Sequence, residues 1–379
     1  MNDFLTGIAG AAGPLAGTLL AFVFVLVVVV FVHEMGHFLV GRWCGIGVKT
    51  FSIGFGPELL AWNDRKGTRW RIAAIPLGGY VRFVGDGGAA SEPDAAEVEK
   101  LTEEEKRIAF PTQPVWKRAA TVFAGPMANF ILAVAVFAVM FMIYGKFESE
   151  PVVAKVMPGS PAEAAGLLPG DRFVVVDGVR IETFTDVQRI VSARAGEPLV
   201  IVVLRDGKEV TVTATPEAKE QTDALGNVVK VGLIGVASDE AMGNPRVVEL
   251  SPPAAFVEAV KETGFVIART FDFLKRFVAG REDKCQLGGP VKIADMAGKA
   301  ADKGFSWLVQ LIAMLSIGIG VLNLVPLPPL DGGHLAFYAV EAAIGRPVPP
   351  AAMDFVYRIG FFLVLAFMAF VFWNDLFGC

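Results

Sequence analysis

Histidine, cysteine and charge are all scarce in this chain: three His, three Cys, and 19% Asp, Glu, Lys and Arg among 379 residues. The cysteines, Cys44, Cys285 and Cys379, are odd in number and far apart, which argues against a disulfide framework and a CxxC metal site; they read as free thiols. The net charge is only −5, and no basic patch interleaved with aromatics occurs, so nucleic acid is excluded as a partner. No Lys or Arg precedes Arg42. A signal peptide begins with a basic segment and ends in a small-residue cleavage site. With neither in evidence, the first apolar run reads as a retained span.

What the chain has instead is apolar length: 54% of it is hydrophobic, including 30 Phe. Charge-free runs extend from Phe4 to Val32, Ala119 to Gly145 and Gly304 to Leu330. A shorter one, Ile359 to Asn374, can start near Met353 if Arg358 snorkels or faces protein. A bilayer core is crossed by about 20 helical residues. The expectation is a multi-span α-helical membrane protein with four transmembrane helices, a β-rich membrane-associated region and one extracytoplasmic α/β domain. Arg42 and Lys49 follow the first span, and Lys106, Arg107, Lys117 and Arg118 precede the second. The positive-inside rule puts that loop in the cytoplasm, with both termini and the segment between spans two and three outside.

Between the spans, Val48 to Phe55, Glu58 to Trp62, Thr68 to Ile75 and Gly79 to Val84 are β-rich pieces punctuated by glycine. An exposed edge there could capture an unwound substrate by strand addition. Residues 150 to 216 run Val152-Val153-Ala154-Lys155-Val156, Pro158-Gly159-Ser160-Pro161-Ala162, Gly166-Leu167, then Pro169-Gly170-Asp171 and further strands. That order of turns and strands resembles a bacterial PDZ domain, whose groove accepts a peptide tail. From Pro252 to Gly280 apolar and charged residues alternate as in an amphipathic helix, lying on the membrane or packed on the PDZ-like domain. The division expected is 1–46, first transmembrane helix; 47–118, cytoplasmic β-rich loop and linker; 119–145, second helix; and 150–216, PDZ-like domain. It continues with 217–303, a connection with the amphipathic helix; 304–340, third helix and Asp-Gly-Gly-His segment; and 353–374, fourth helix.

The chemistry gathers at the end of span one, in His33-Glu34-Met35-Gly36-His37. Residues four apart share a helix face, so two imidazoles can hold one zinc ion while Glu34 stays free as a general base for a zinc-activated water. A merely solvated helix end is the bland alternative. Against it, only three histidines exist and two form this pair, at the end of a very apolar segment. A catalytic zinc commonly has three protein ligands, so one is missing. Span three ends in Asn323-Leu324-Val325-Pro326-Leu327-Pro328-Pro329-Leu330-Asp331-Gly332-Gly333-His334, which offers a carboxylate and the last histidine beside the membrane. Span one leaves toward the cytoplasm and span three, entering from outside, ends on the same side, so the two motifs can meet.

These motifs, with Gly125-Pro126-Met127-Ala128-Asn129-Phe130 and Gly288-Gly289-Pro290-Val291-Lys292-Ile293-Ala294, resemble the site-2 protease family. The layout is similar to its bacterial members that regulate sigma-E. The resemblance implies an intramembrane zinc metalloprotease with one Zn2+ per chain held by His33, His37 and Asp331. It implies Glu34 as catalytic base, and Asn323 and Pro326 as substrate-positioning residues. Substrates would be single-span membrane proteins in the inner membrane, such as anti-sigma factors or remnant signal peptides. One departure stands out: the sigma-E regulators carry two tandem PDZ domains, and here there is room for only one clear copy. Two rival readings are a zinc transporter or sensor, which leaves the non-ligating Glu34 without a purpose, and a scaffold with a structural or defunct metal site.

Overall fold

A computed structural model describes residues 14–86, 99–222, 228–238, 246–280 and 284–378. The chain forms two compact units, one of residues Met140–Ala255 and the other of the chain on either side. The first helix, α1 (Pro14–Trp43), has 30 residues and so runs about 45 Å, more than a bilayer core requires. It is apolar around its whole circumference until His33.

Two long strands follow, β1 (Val48–Asn63) and β2 (Arg69–Phe83). Each is bent, and residues 50–53 of β1 pair on one side with 69–72 and on the other with 79–82 of β2. Residues 58–63 of β1 pair with the outer side of 69–73. The four β pieces expected from the sequence are thus two continuous strands folded into a four-deep arrangement. The bend needs Gly54, at φ 86°, where a Cβ would meet the Ile75 carbonyl. The sheet is pinned to the end of α1, because Arg42 hydrogen-bonds Asp64 and Thr68. Partial burial works against ionisation of Asp64. The Arg42 guanidinium, the Trp70 indole N–H and the turn amides of Thr68 and Lys66 nevertheless hold its carboxyl at about 2. Phe38, Phe51 and Trp70 interlock beneath, the Phe38 and Phe51 rings 5.5 Å apart at 80°. Short α2 (Glu103–Ile108), with a Thr102–Glu105 capping box, leads to α3 (Val115–Tyr144).

In the second unit come β3 (Lys146–Glu148), β4 (Lys155–Val156), α4 (Pro161–Ala164), β5 (Arg172–Val176), β6 (Val179–Arg180) and α5 (Phe184–Ser192). They are followed by β7 (Leu199–Arg205), β8 (Lys208–Ala214), β9 (Glu217–Thr222), β10 (Val228–Leu233), β11 (Val236–Ala237) and β12 (Arg246–Val248). An antiparallel sheet of order β6-β5-β7-β8 packs Phe173, Ile201 and Val203 against Val187 and Val191 of α5. Asp171, almost fully buried, is held by a two-pronged ion pair to Arg205. This unit continues beyond the limit of 216 expected from the sequence: Ile234 lies in its core and β11 pairs with β4. The connecting stretch shows no helical or strong alternating pattern, so its membership depends on a pairing to residues some eighty positions earlier.

The chain continues as α6 (Pro252–Val278), α7 (Pro290–Lys303), α8 (Phe305–Asn323), α9 (Asp331–Ile344) and α10 (Pro350–Trp373). The N-terminus of α7 lacks a side-chain cap of its own. Asp375 supplies one from the far end of the chain, accepting from the Gly289, Val291 and Lys292 amides at 3.0–3.2 Å. Cys44 is free and buried, whereas Cys285 is disulfide-bonded, which corrects the reading of it as a free thiol; separation along the chain is no guide to separation in space. Cys379 lies outside the described residues. Among the described residues four helices are long and apolar enough to cross a membrane, Leu15–Trp43, Val115–Tyr144, Phe305–Asn323 and Ala351–Gly378.

Candidate metal centre

His33 and His37 lie one helical turn apart on α1, and both are buried. The helix is free to bury them because α3 approaches closely. A Cβ on Gly36 would collide with the Ala124 carbonyl, and one on Gly125 with the rings of His37 and His33. Small residues at a helix crossing inside a membrane let backbones come together, and here they open the space the imidazoles fill.

Asp331 arrives from the other side of the chain. Helix α8 ends at Asn323, and Pro326, Pro328 and Pro329 prevent it from continuing. The chain turns back sharply and restarts as α9, with Asp331 in its first turn. Gly332 and Gly333 permit the reversal: a Cβ on either would run into the backbone of Leu324, Val325 or Pro328. From α10, Gly360 backs the same segment, with no space for a side chain against the Pro328 carbonyl.

The Nε2 atoms of His33 and His37 are 3.2 Å apart, and Asp331 Oδ2 is 3.1 Å from the first and 3.5 Å from the second. These three atoms are the one such trio among the described residues able to hold a metal. Two observations test whether they fit zinc. Ligand atoms at about 2.0–2.1 Å from a tetrahedral ion stand roughly 3.3 Å from one another, and the three separations straddle that value. Asp331 Oδ2 is also buried without a hydrogen bond, and two ring nitrogens point at each other, an arrangement that a shared cation relieves. The residues fit.

Outside this trio, His37 Nδ1 donates to the Thr121 carbonyl of α3 at 2.9 Å, which leaves the Nε2 lone pair for a metal. Glu34 lines the same cavity of about 270 Å³ as the three ligand residues. Val81 lines the cavity beside it, and Gly79 lies against its side chain. The segment 79–83 of β2 therefore runs past the site. Asn323 lines the cavity; Pro326 is exposed and is not among its lining residues. His334, also at the cavity, engages the Tyr357 hydroxyl of α10 through its ring and stands apart from the three converging atoms. In the sequence Gly125 stood out only within a stretch resembling the family and Val81 only within a β-rich piece, and neither they nor Thr121 could be given a contact with the histidines or Glu34. A glycine's function depends on what faces it, and a backbone group leaves no mark in residue identity.

Replacing Gly125 by Val should displace both imidazoles, so that zinc measured on the purified protein falls below stoichiometric. Gly264→Ala on α6, where a Cβ meets nothing within 4 Å, is the control and should leave the zinc content unchanged.

The model of the family described as Peptidase family M50 matches residues 21–367 of the chain. A protein of Mesorhizobium japonicum assigned by name as a zinc metalloprotease is 65% identical over 96% of this chain and 99% of its own. One of Brucella suis, assigned likewise, is 61% identical over the full length of both. The metalloprotease MmpA of Caulobacter vibrioides is 40% identical over 94% of this chain and 95% of its own.

Proposed function

The chain belongs to peptidase family M50, and on that premise we propose that it hydrolyses peptide bonds within, or at the edge of, the transmembrane helix of a single-span membrane protein. It is a zinc metalloprotease. The observation that carries the reading is the buried meeting of His33, His37 and Asp331 in one cavity with Glu34, between helices apolar enough to span a bilayer.

His33, His37 and Asp331 hold one zinc ion per chain. Zinc so held supplies Lewis acidity, which polarises a carbonyl and lowers the pKa of water. Glu34 accepts a proton from the attacking water as its oxygen adds to the scissile carbonyl carbon. It returns that proton to the leaving amine nitrogen as the C–N bond breaks. Asn323 donates to the substrate carbonyl or to the negative charge developing on it, and Pro326 helps position the substrate backbone. A helical substrate hides its carbonyls in its own hydrogen bonds, so it unwinds locally. The edge 79–83 of β2, which lines the cavity, holds the extended segment by strand addition.

The basic residues flanking the loop after span one set the orientation in a bacterial inner membrane: active site near the cytoplasmic side, termini and the 150–216 module periplasmic. That module acts as a PDZ-like domain. A groove of about 530 Å³ beside α5, lined by Ser160, Val187, Val191, Leu233 and Gly235 among others, accepts a peptide tail. Substrates in this reading are regulators such as anti-sigma factors or remnant signal peptides, and nucleic acid has no part.

The test is reconstitution of the purified chain with a single-span model substrate. Cleavage should stop on treatment with a chelator and return on adding one equivalent of zinc. Zinc flux across the vesicle wall without any cleavage would instead establish a transporter.

A further inference from the structure

Asn129 on α3 is wholly buried, and nothing in the chemistry above uses it. Its side-chain amide nitrogen lies 3.3 Å from His33 Nδ1, and its Oδ1 is buried without a hydrogen bond. The backbone around it is fixed, since Ser316 of α8 donates to the Asn129 carbonyl at 3.0 Å.

The tautomer of His33 decides how this amide must lie. His33 turns Nε2 toward His37 and Asp331. Binding a metal there requires a lone pair on Nε2 and therefore a proton on Nδ1, which must donate. An amide NH2 facing that N–H is repulsive; an amide oxygen in the same place accepts it. The two ends of an amide have the same shape, so the cavity accommodates either orientation, and turning it leaves the number of unpaired buried amide atoms unchanged. The requirement of the metal is then the deciding term. His37 already has this arrangement, with its Nδ1–H on the Thr121 carbonyl, about two helical turns away on the same face of α3.

We propose that Asn129 is a positioning residue: its side-chain oxygen accepts the Nδ1–H of His33 and holds the ring in the tautomer and orientation that bind zinc through Nε2. Helix α3 thereby serves both histidines while contributing no ligand. This rests on His33 being a zinc ligand, as proposed above.

The experiment measures zinc dissociation constants by chelator competition on the full-length protein and on Asn129→Leu and Asn129→Asp, with thermal melting of the metal-free forms as the control for folding. Loss of an outer hydrogen bond to a metal-ligating histidine costs about 10–100-fold in affinity, and that is the expected weakening for Asn129→Leu. Asn129→Asp keeps an acceptor facing Nδ1–H and should bind within a few-fold of the unaltered protein. An unchanged constant in Asn129→Leu overturns the proposal, and so does an Asp variant as weak as the Leu variant, since packing alone would then explain both. If the metal-free Leu form melts early, the Asp variant decides by the same criterion. Failure of the unaltered protein to bind zinc at all would sink the metal-site reading itself, a different result from either.

Discussion

Replacing Glu34 by Gln should leave zinc bound and reduce cleavage by about 10²–10⁴-fold, the range general acid–base groups typically contribute. Gln is nearly isosteric, so the cavity and the three ligand residues around it keep their places. What is lost is the capacity to take a proton from water and give it to the leaving nitrogen. The measurement pairs metal content with turnover of a single-span substrate. Full zinc with normal turnover would remove Glu34 from the mechanism, and loss of zinc would make it a ligand.

Asp331→Ala should have the opposite signature, with zinc and activity disappearing together. Outer hydrogen-bonding partners of metal ligands already contribute about 10–100-fold to affinity, so removal of a ligand should weaken zinc by more than 100-fold. The fold has little reason to change. Asp331 Oδ2 makes no hydrogen bond to the protein, and the chain reversal that places it depends on Gly332, Gly333 and the prolines before them. A metal-depleted but monodisperse Asp331→Ala protein is the expected outcome. Stoichiometric zinc in that variant would show that the third ligand lies elsewhere.

Much of the centre was legible beforehand because it obeys one-dimensional rules. Helix periodicity puts His33 and His37 on one face whatever surrounds them. Three prolines after Asn323 force a break, and a break in a membrane helix is tolerated only where protein or a wet cavity lines it. How the stretch after residue 216 relates to the module before it, by contrast, was not legible. Ile234 and β11 join the second unit through contacts with distant residues, and no local pattern encodes these. Cys285 was misjudged for the same reason. The β pieces after span one were located, but their fusion into two bent strands follows from glycine conformations that a propensity reading treats simply as interruptions.

The cluster at His33 thus divides into what each level of organisation can decide. By itself the sequence determined four apolar helices, a histidine pair with a neighbouring carboxylate, and a carboxylate at a second helix break. Residue chemistry and spacing are enough for those. The tertiary structure decided that Asp331 comes within 3.1 Å of His33, that β2 runs along Glu34, and that α3 holds the outer edges of both imidazoles. Those outcomes depend on how closely α1 and α3 approach at Gly36 and Gly125 and on the turn at Gly332 and Gly333. Close approach is a property of two surfaces together, and neither segment carries it alone.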